Sequence, residues 1–123
     1  MLKLVMCVKR LPNISHKDFV TYWKNKHAPL VDQYKDILGI RHYVQTVMLD
    51  NPAAQHALQQ GRGTLPVNFD GCAELWWDDM ESHLNARASE EGKQALAALI
   101  ADESQFVDLQ HSQLWYGEEH RIL

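Results

Sequence analysis

Residues 19–30 form the segment Phe19-Val-Thr-Tyr22-Trp23-Lys-Asn-Lys-His27-Ala-Pro29-Leu30, and the rest of the chain is best understood as the structure that covers it. Phe19, Trp23 and His27 are spaced four apart. Successive steps of four along a helix drift by only about 40°, so these three side chains share one apolar stripe. The imidazole of His27 therefore faces inward, where it needs a hydrogen-bond partner because an unpaired polar group costs about 1–3 kcal/mol.

The start of this helix is marked by its capping residues. Ser15 is a favourable N-cap, and Asp18 occupies the position of the acid in a capping box. Ile14 can pack as a hydrophobic staple onto Phe19. The sequence therefore predicts a helix that begins immediately after Ser15.

Pro29 predicts the end of the same helix. Proline removes an intrahelical hydrogen bond and disfavours the α region for the preceding residue, Ala28, so we expect a break or a kink. His27 would then lie in the last turn, where carbonyl groups favour a cationic imidazole. The alternative interpretation is a core histidine that is bonded to the backbone.

Composition limits the classes of function. The chain has 123 residues, enough for a single domain, and a net charge of −4, which argues against a nucleic-acid or anionic-membrane partner. No apolar run approaches the roughly 18 residues of a membrane span, and we expect a cytoplasmic protein. Cys7 and Cys72 are expected to be reduced, buried thiols, and none of the seven histidines has metal-ligand spacing, so no metal is expected.

Alternating apolar residues predict four strands, at residues 2–10, 40–49, 71–77 and 109–117. The first helix is expected to continue to Leu38, with Gly39 as its C-terminal stop. Asp78 or Asp79 and then Ser89 are expected to cap two further helices. In the first of these two helices, Met80, Leu84 and Arg87 or Ala88 share one side. The second extends through Leu96, Leu99 and Ile100, and Asp102 follows it directly.

Two further segments lie outside the predicted strands and main helices. Residues 50–70 form a long connection, with a short helix expected between Asn51-Pro52 and Gly61, and such connections are often functional lids or disordered. Phe106 and Val107 are expected to dock an irregular connector onto the core.

The order strand, helix, strand, strand, helix, strand is typical of an α+β, ferredoxin-like βαββαβ fold with an antiparallel four-stranded sheet. Helices cover only one face of such a sheet, so the other face should be polar if it met water. Here the first, third and last strands carry large apolar groups on both faces, which a monomer should not expose. We therefore expect a homodimer, with two sheets packed face to face in a dimeric α+β barrel.

Several motifs resemble those of the EthD domain family. They are Arg10-Leu-Pro, Ser15-x-x-Asp18-Phe19-x-x-Tyr22-Trp23-x-x-x-His27-Ala-Pro29-Leu30, Tyr43-Val-Gln45, Phe69-Asp70-Gly71-x-Ala-Glu74-Leu-Trp76-Trp77 and Asp102-x-x-x-Phe106-x-Asp108. The resemblance covers almost the whole chain in the same order. It implies the dimeric α+β barrel fold, and relatives in the family include fungal dehydratases of aromatic polyketides and lactone isomerases.

In a barrel of this type the cavity lies between helices and sheet, where candidate site residues could converge. We expect His27, Tyr43 and Asp102 as the catalytic set, because a histidine paired with a carboxylate can act as a general base and a phenol can donate a proton. The expected substrate-binding residues are Trp23, His42, Glu74, Trp76 and Trp77.

Each candidate also has a structural interpretation. Tyr43 can be an ordinary sheet aromatic, Glu74 can pair with Arg41 or Lys9 across the sheet, and Asp102 can simply end a helix. The tryptophans can be core residues rather than a substrate pocket.

The leading functional hypothesis is a cofactor-independent enzyme of the dehydratase, cyclase or isomerase type that acts on a small hydrophobic or aromatic carbonyl compound. The chemistry of proton abstraction next to a carbonyl, followed by loss of water or ring closure, needs no cofactor. A non-catalytic dimer that binds a small molecule, or that assists an oxidative degradation pathway, is one alternative. A cofactor-free monooxygenase on the same fold is another.

Overall fold

A four-stranded antiparallel sheet forms one layer of the protein, and the computed structural model describes all residues from 1 to 123. The strands are β1 (Leu2–Val8), β2 (His42–Val47), β3 (Gly71–Trp77) and β4 (Gln113–Glu118). They lie in the order β2-β3-β1-β4. The ferredoxin-like α+β prediction is confirmed. The last strand is shorter than expected, because residues 109–111 form a 3-10 turn in which the His111 N–H bonds back to the Asp108 carbonyl.

The helices account for the rest of the regular structure. They are α1 (His16–Tyr22), α2 (Ala28–Leu38), α3 (Pro52–Arg62), α4 (Met80–Ala88) and α5 (Glu90–Glu103). None of them combines the length and apolar character that a membrane span requires.

The backbone stays helical from α1 into α2, through a π-helical turn at Trp23–His27. Ser15 caps α1 as predicted, since its hydroxyl accepts from the Asp18 N–H at 3.0 Å. Of the break or kink predicted at Pro29, the break is not observed. Ala28 keeps φ −57° and ψ −44°, and its N–H bonds to the Trp23 carbonyl, five residues back. The wider turn places Pro29 in the first turn of α2, where a missing N–H is tolerated.

Most other helix ends are where the sequence placed them. Gly39 ends α2 with φ 69°, a conformation that glycine adopts without strain. Asp79, rather than Asp78, caps α4, and Ser89 caps α5. Helix α3 ends at Gly63 instead of Gly61.

Helix α5 runs further than expected, which corrects the position of Asp102. This residue lies in the last turn of α5 rather than after the helix, because the helical hydrogen bonds continue to the bond from the Ser104 N–H to the Ile100 carbonyl. Phe106 and Val107 then dock onto the core as predicted, with exposed fractions of 1% and 3%.

Alternation along the strands divides the sheet into two faces. The inner face packs toward the helices and carries Leu4, Met6, Val8, Tyr43, Ala73, Leu75, Trp77, Leu114 and Tyr116. The outer face carries Lys3, Val5, Cys7, His42, Val44, Cys72, Glu74, Trp76 and Trp115. Cys7 and Cys72 are free thiols opposite each other on β1 and β3, and both are half-buried rather than buried as expected.

Candidate active site

A cavity of about 410 Å³ lies between the inner face of the sheet and the helices. It is lined by 22 residues, of which 18 are hydrophobic. The four exceptions are His27, His83, Arg87 and Glu103. An apolar cavity with a few polar groups is the usual form of a small-molecule site.

His27 and Asp102 form a hydrogen-bonded pair at this cavity. His27 Nδ1 lies 2.8 Å from Asp102 Oδ2, and the Tyr22 hydroxyl donates to Asp102 Oδ1 at 2.6 Å. The imidazole is only 6% exposed and packs against the Phe106 ring, with centroids 5.2 Å apart. Since Nδ1 is bonded to the carboxylate, Nε2 is the nitrogen left for a ligand. The alternative of a histidine bonded only to backbone is not observed.

The protonation of His27 differs from the sequence-based expectation of a cation. Burial lowers the pKa of His27 below its ordinary value, and the bond to Asp102 only partly opposes this effect. The imidazole is therefore neutral at neutral pH. A neutral imidazole with Nδ1–H donated to a carboxylate has its lone pair on Nε2, as a general base requires.

Tyr43 projects from β2 into the same cavity. Its hydroxyl oxygen accepts from Gln45 Nε2 at 2.8 Å, and the same amide donates to the Trp23 carbonyl at 3.0 Å. Burial raises the pKa of Tyr43, so the phenol keeps its proton. Trp23 and Trp77 also line the cavity. The structure thus places five of the predicted residues in or directly behind this space: Trp23, His27, Tyr43, Trp77 and Asp102.

Three predicted substrate-binding residues do not join them. His42, Glu74 and Trp76 lie on the outer face, because strand alternation sends neighbours such as Trp76 and Trp77 to opposite sides. The expectation that they converge with His27 is wrong.

These three residues form their own surface cluster. Glu74 pairs with Lys3 rather than with Arg41 or Lys9, and the Lys3 ammonium lies 4.9 Å from the centre of the Trp76 ring. His42 packs edge-on against Trp76, with centroids 6.0 Å apart.

Glu103 is a cavity residue that the sequence analysis missed. Burial, together with the neighbouring charge of Asp102, raises the pKa of Glu103 to about 7. A signal for it was present, because Ala95, Leu99 and Glu103 are four apart and so share the buried stripe of α5.

His83 and Arg87 were also missed as a pair. His83 is 3% exposed and packs on Trp77, with ring centroids 4.0 Å apart. On α4, Met80 and Leu84 are exposed, whereas Arg87, which was expected to share their side of the helix, lines the cavity. The i,i+4 spacing of the two residues was visible, but polar residue types hid the inward face.

No residue of the connection 50–70 lines the cavity. Helix α3 has no buried residue. A role for this connection as a lid stays a prediction.

Together these features define a ferredoxin-like α+β domain whose apolar cavity contains a histidine–carboxylate pair. The chain belongs to the EthD domain family, whose model matches residues 11–110.

Three proteins of known name or structure are similar to this chain in sequence or in fold. The chain is 27% identical over 109 residues to the dehydratase ustZ of Ustilaginoidea virens. The aligned region covers 88% of this chain and 76% of that protein. It is similar to the crystal structure of an EthD family protein from Bacillus halodurans, with a TM-score of 0.64, 25% identity, and coverage of 98% of this chain and 100% of the other. A dimeric protein of unknown function with a ferredoxin-like fold, from Bacteroides fragilis, has a TM-score of 0.60 at 10% identity, with coverage of 96% and 95%.

Proposed function

We propose that the protein is a cofactor-independent enzyme of the dehydratase, cyclase or isomerase type, and that it acts on a small hydrophobic or aromatic carbonyl compound. The observation that carries this proposal is the pair of His27 and Asp102, with its free nitrogen at an apolar cavity. Proton transfer and elimination are reactions of acids and bases, and the chain supplies both kinds of group.

His27 is the proposed base. Its Nε2 takes a proton from the carbon next to the substrate carbonyl, and the electron pair of the broken C–H bond moves toward the carbonyl to form an enolate. Asp102 is the proposed positioning residue that stabilises the imidazolium formed in this step. The low pKa of His27 that burial produces keeps the base unprotonated before the reaction.

Tyr43 and Glu103 are the proposed acids. The Tyr43 hydroxyl donates to the carbonyl oxygen as negative charge develops there. For a dehydration, the enolate electrons form the new carbon–carbon double bond, the C–O bond of a β-hydroxyl breaks, and Glu103 protonates the departing oxygen to give water. The proton that His27 accepted then returns to the Glu103 carboxylate, so the enzyme is restored. A carboxyl group with a pKa of about 7 can act in both directions.

The similarity to a named dehydratase favours dehydration among these reaction types. The cavity fits the hydrophobic part of the substrate, because Trp23 and Trp77 offer flat apolar walls to an aromatic ring. The substrate class proposed is therefore a β-hydroxy ketone on an aromatic or other hydrophobic scaffold.

The proposed assembly is a homodimer that covers the outer face of the sheet. Val44 and Trp115 lie on this face with exposed fractions of 43% and 49%, and a second sheet would remove them from water. The ferredoxin-like protein from Bacteroides fragilis, which shares the fold, is described as dimeric.

The test of the proposed reaction uses a hydroxytetralone, a β-hydroxy aromatic ketone that loses water to give a naphthol. Incubation in D₂O separates the two steps, because exchange of the α-proton reports the base and naphthol formation reports the elimination. We expect both with the wild type, and we expect His27→Ala to slow both by about a hundredfold or more. His111→Ala is the matched control, because His111 also contacts an aspartate through Nδ1 but is exposed.

The alternatives give different results in the same assay. A cofactor-free monooxygenase would consume dioxygen with the substrate, whereas a dehydratase would give the same rate without it. A protein that binds the hydroxytetralone but exchanges no α-proton would be a non-catalytic binding protein, and that result would overturn the proposal.

A further inference from the structure

The second polar group of the cavity lies at the end away from His27. Arg87 and His83 project from α4, and Tyr116 faces them from β4. The Arg87 guanidinium donates to the Tyr116 hydroxyl oxygen at 3.0 Å, and His83 Nε2 lies 2.8 Å from the same oxygen. The three side chains form one connected cluster, and the reaction proposed above uses none of them.

Hydrogen-bond donors in this cluster exceed the acceptors available to them. Arg87 has five N–H donors, and one is used within the chain. Because the Tyr116 hydroxyl oxygen accepts from Arg87, its own proton can be donated to His83 Nε2. The imidazole proton of His83 is then on Nδ1. That buried nitrogen has no hydrogen-bond partner in the protein. Burial and the charge of Arg87 lower the pKa of His83, so the ring is neutral.

The charge of Arg87 is also uncompensated within the chain. Arg87 makes no ion pair, although it lines a cavity that is mostly hydrophobic. Glu103 is the one acidic residue among the lining residues, and it is not bonded to Arg87. An unpaired cation beside an apolar space is the arrangement that an anionic ligand completes.

The two ends of the cavity are well separated. Leu4 pairs with Tyr116 at one end of β1, whereas Val8, at the other end, shares a buried cluster with Trp23 and Phe106 beside His27. Four residues of extended strand span about 13 Å. Apolar side chains line the cavity between the two polar ends.

We propose that Arg87, with His83 and Tyr116, is a binding subsite for a carboxylate carried on the hydrophobic ligand of this cavity. The guanidinium binds the carboxylate oxygens, Tyr116 orients the guanidinium, and His83 holds the Tyr116 hydroxyl in place. This proposal rests on the proposed function for the reaction at the other end, and it narrows the substrate to a hydrophobic carbonyl compound with a carboxylate at its far end.

The experiment compares the binding of naphthoate and naphthamide by calorimetry at pH 7. The two probes have the same rings and nearly the same size, but only naphthoate carries a charge. We expect the wild type to bind naphthoate about tenfold or more tightly than naphthamide, since a charge-assisted hydrogen bond is about twice as strong as a neutral one. Arg87→Gln should abolish the preference, and Arg87→Lys should keep part of it.

The control is Arg62→Gln, because Arg62 also lies in the last turn of its helix but faces solvent on α3. It should leave the preference unchanged, and Tyr116→Phe should weaken it with the fold retained by circular dichroism. An equal affinity of the wild type for both probes, or a preference that survives in folded Arg87→Gln, would overturn the subsite. His27→Ala should still prefer naphthoate, so failure of the catalytic proposal and failure of this one give different results.

Discussion

Nδ1 of His27 lies 2.8 Å from Oδ2 of Asp102, although 75 positions separate the two residues in the chain. The histidine is in the π-turn between α1 and α2, and the aspartate is in the last turn of α5. The contact therefore depends on the packing of α5 against the continuous helix formed by α1, the π-turn and α2. It fixes the tautomer of a buried imidazole whose other nitrogen is left for a ligand.

Asp102→Asn should lower the pKa of His27 further. The carboxylate raises this pKa through its hydrogen bond and its charge, against the larger effect of burial, and an amide has no charge to offer. The measurement is an NMR titration of the His27 ring. The same substitution should slow α-proton exchange of a hydroxytetralone, because the imidazolium would lose its stabilising partner.

Asp108→Asn provides the matched control. Asp108 Oδ2 lies 2.7 Å from His111 Nδ1, but that imidazole is exposed. The His27 titration should be the same in this variant as in the wild type. If Asp102→Asn also left it unchanged, the pair would not control the protonation of His27.

The fold was largely predictable because short-range patterns specify it. Strand alternation, the Ser15 cap and the Gly39 stop each act within a few residues, and all agree with the structure. The pairing of His27 with Asp102 was expected from the cavity that the family resemblance implies, although Asp102 lies inside α5 rather than after it. The π-turn was not, because Pro29 indicates a disturbed helix without showing how the backbone adapts.

The incomplete part of the site prediction has a physical cause. Trp76 and Trp77 are neighbours of the same residue type, so the sequence alone does not show which of them faces the cavity. The register of β3 against β1 decides it, because a shift of one residue would exchange the two faces. Glu103, His83 and Arg87 were missed because polar residue types suggest a solvated surface. Only the position of the sheet shows that these helical positions face a cavity.

Glu103→Gln should stabilise the protein at alkaline pH and leave its stability nearly unchanged at about pH 4.5. Burial raises the pKa of Glu103 from its ordinary 4.5 to about 7 in the folded state. Between pH 4.5 and 7 the Glu103 carboxyl is deprotonated in the unfolded chain but still protonated in the folded chain. The contribution of Glu103 to the free energy of unfolding therefore falls as pH rises. At pH 8 we expect the variant to gain about 3 kcal/mol in free energy of unfolding.

Urea denaturation at several pH values measures this difference. Glu91→Gln is the control, because Glu91 is an exposed acid at the start of the same helix. Its removal should give no gain in stability at pH 8, because a negative charge at a helix N-terminus is favourable. A difference between wild type and Glu103→Gln that stays constant from pH 4.5 to 8 would contradict a buried, proton-binding Glu103.

Gly71→Ala should destabilise the fold next to the site. A Cβ at this position would lie 2.8 Å from Trp23 Cζ3 and would also collide with the Thr46 carbonyl oxygen of the neighbouring strand. Overpacking of this kind costs about 1–3 kcal/mol. Urea denaturation measures the loss, and the near-ultraviolet circular dichroism of Trp23 should change with it. Gly117→Ala, in β4, should be close to neutral because nothing lies within 4 Å of its added Cβ.

Trp115→Glu should convert the proposed dimer to a monomer. Trp115 lies on the outer face of β4 opposite Val5, and its exposed fraction is 49%. A carboxylate there would bring like charges together where two sheets meet and would have to be desolvated. Light scattering should give the variant a mass near 14.2 kDa and the wild type twice that mass. Leu58→Glu, at a 56% exposed position on α3, should stay dimeric. A monomeric wild type would show that the outer face meets solvent in spite of its apolar side chains.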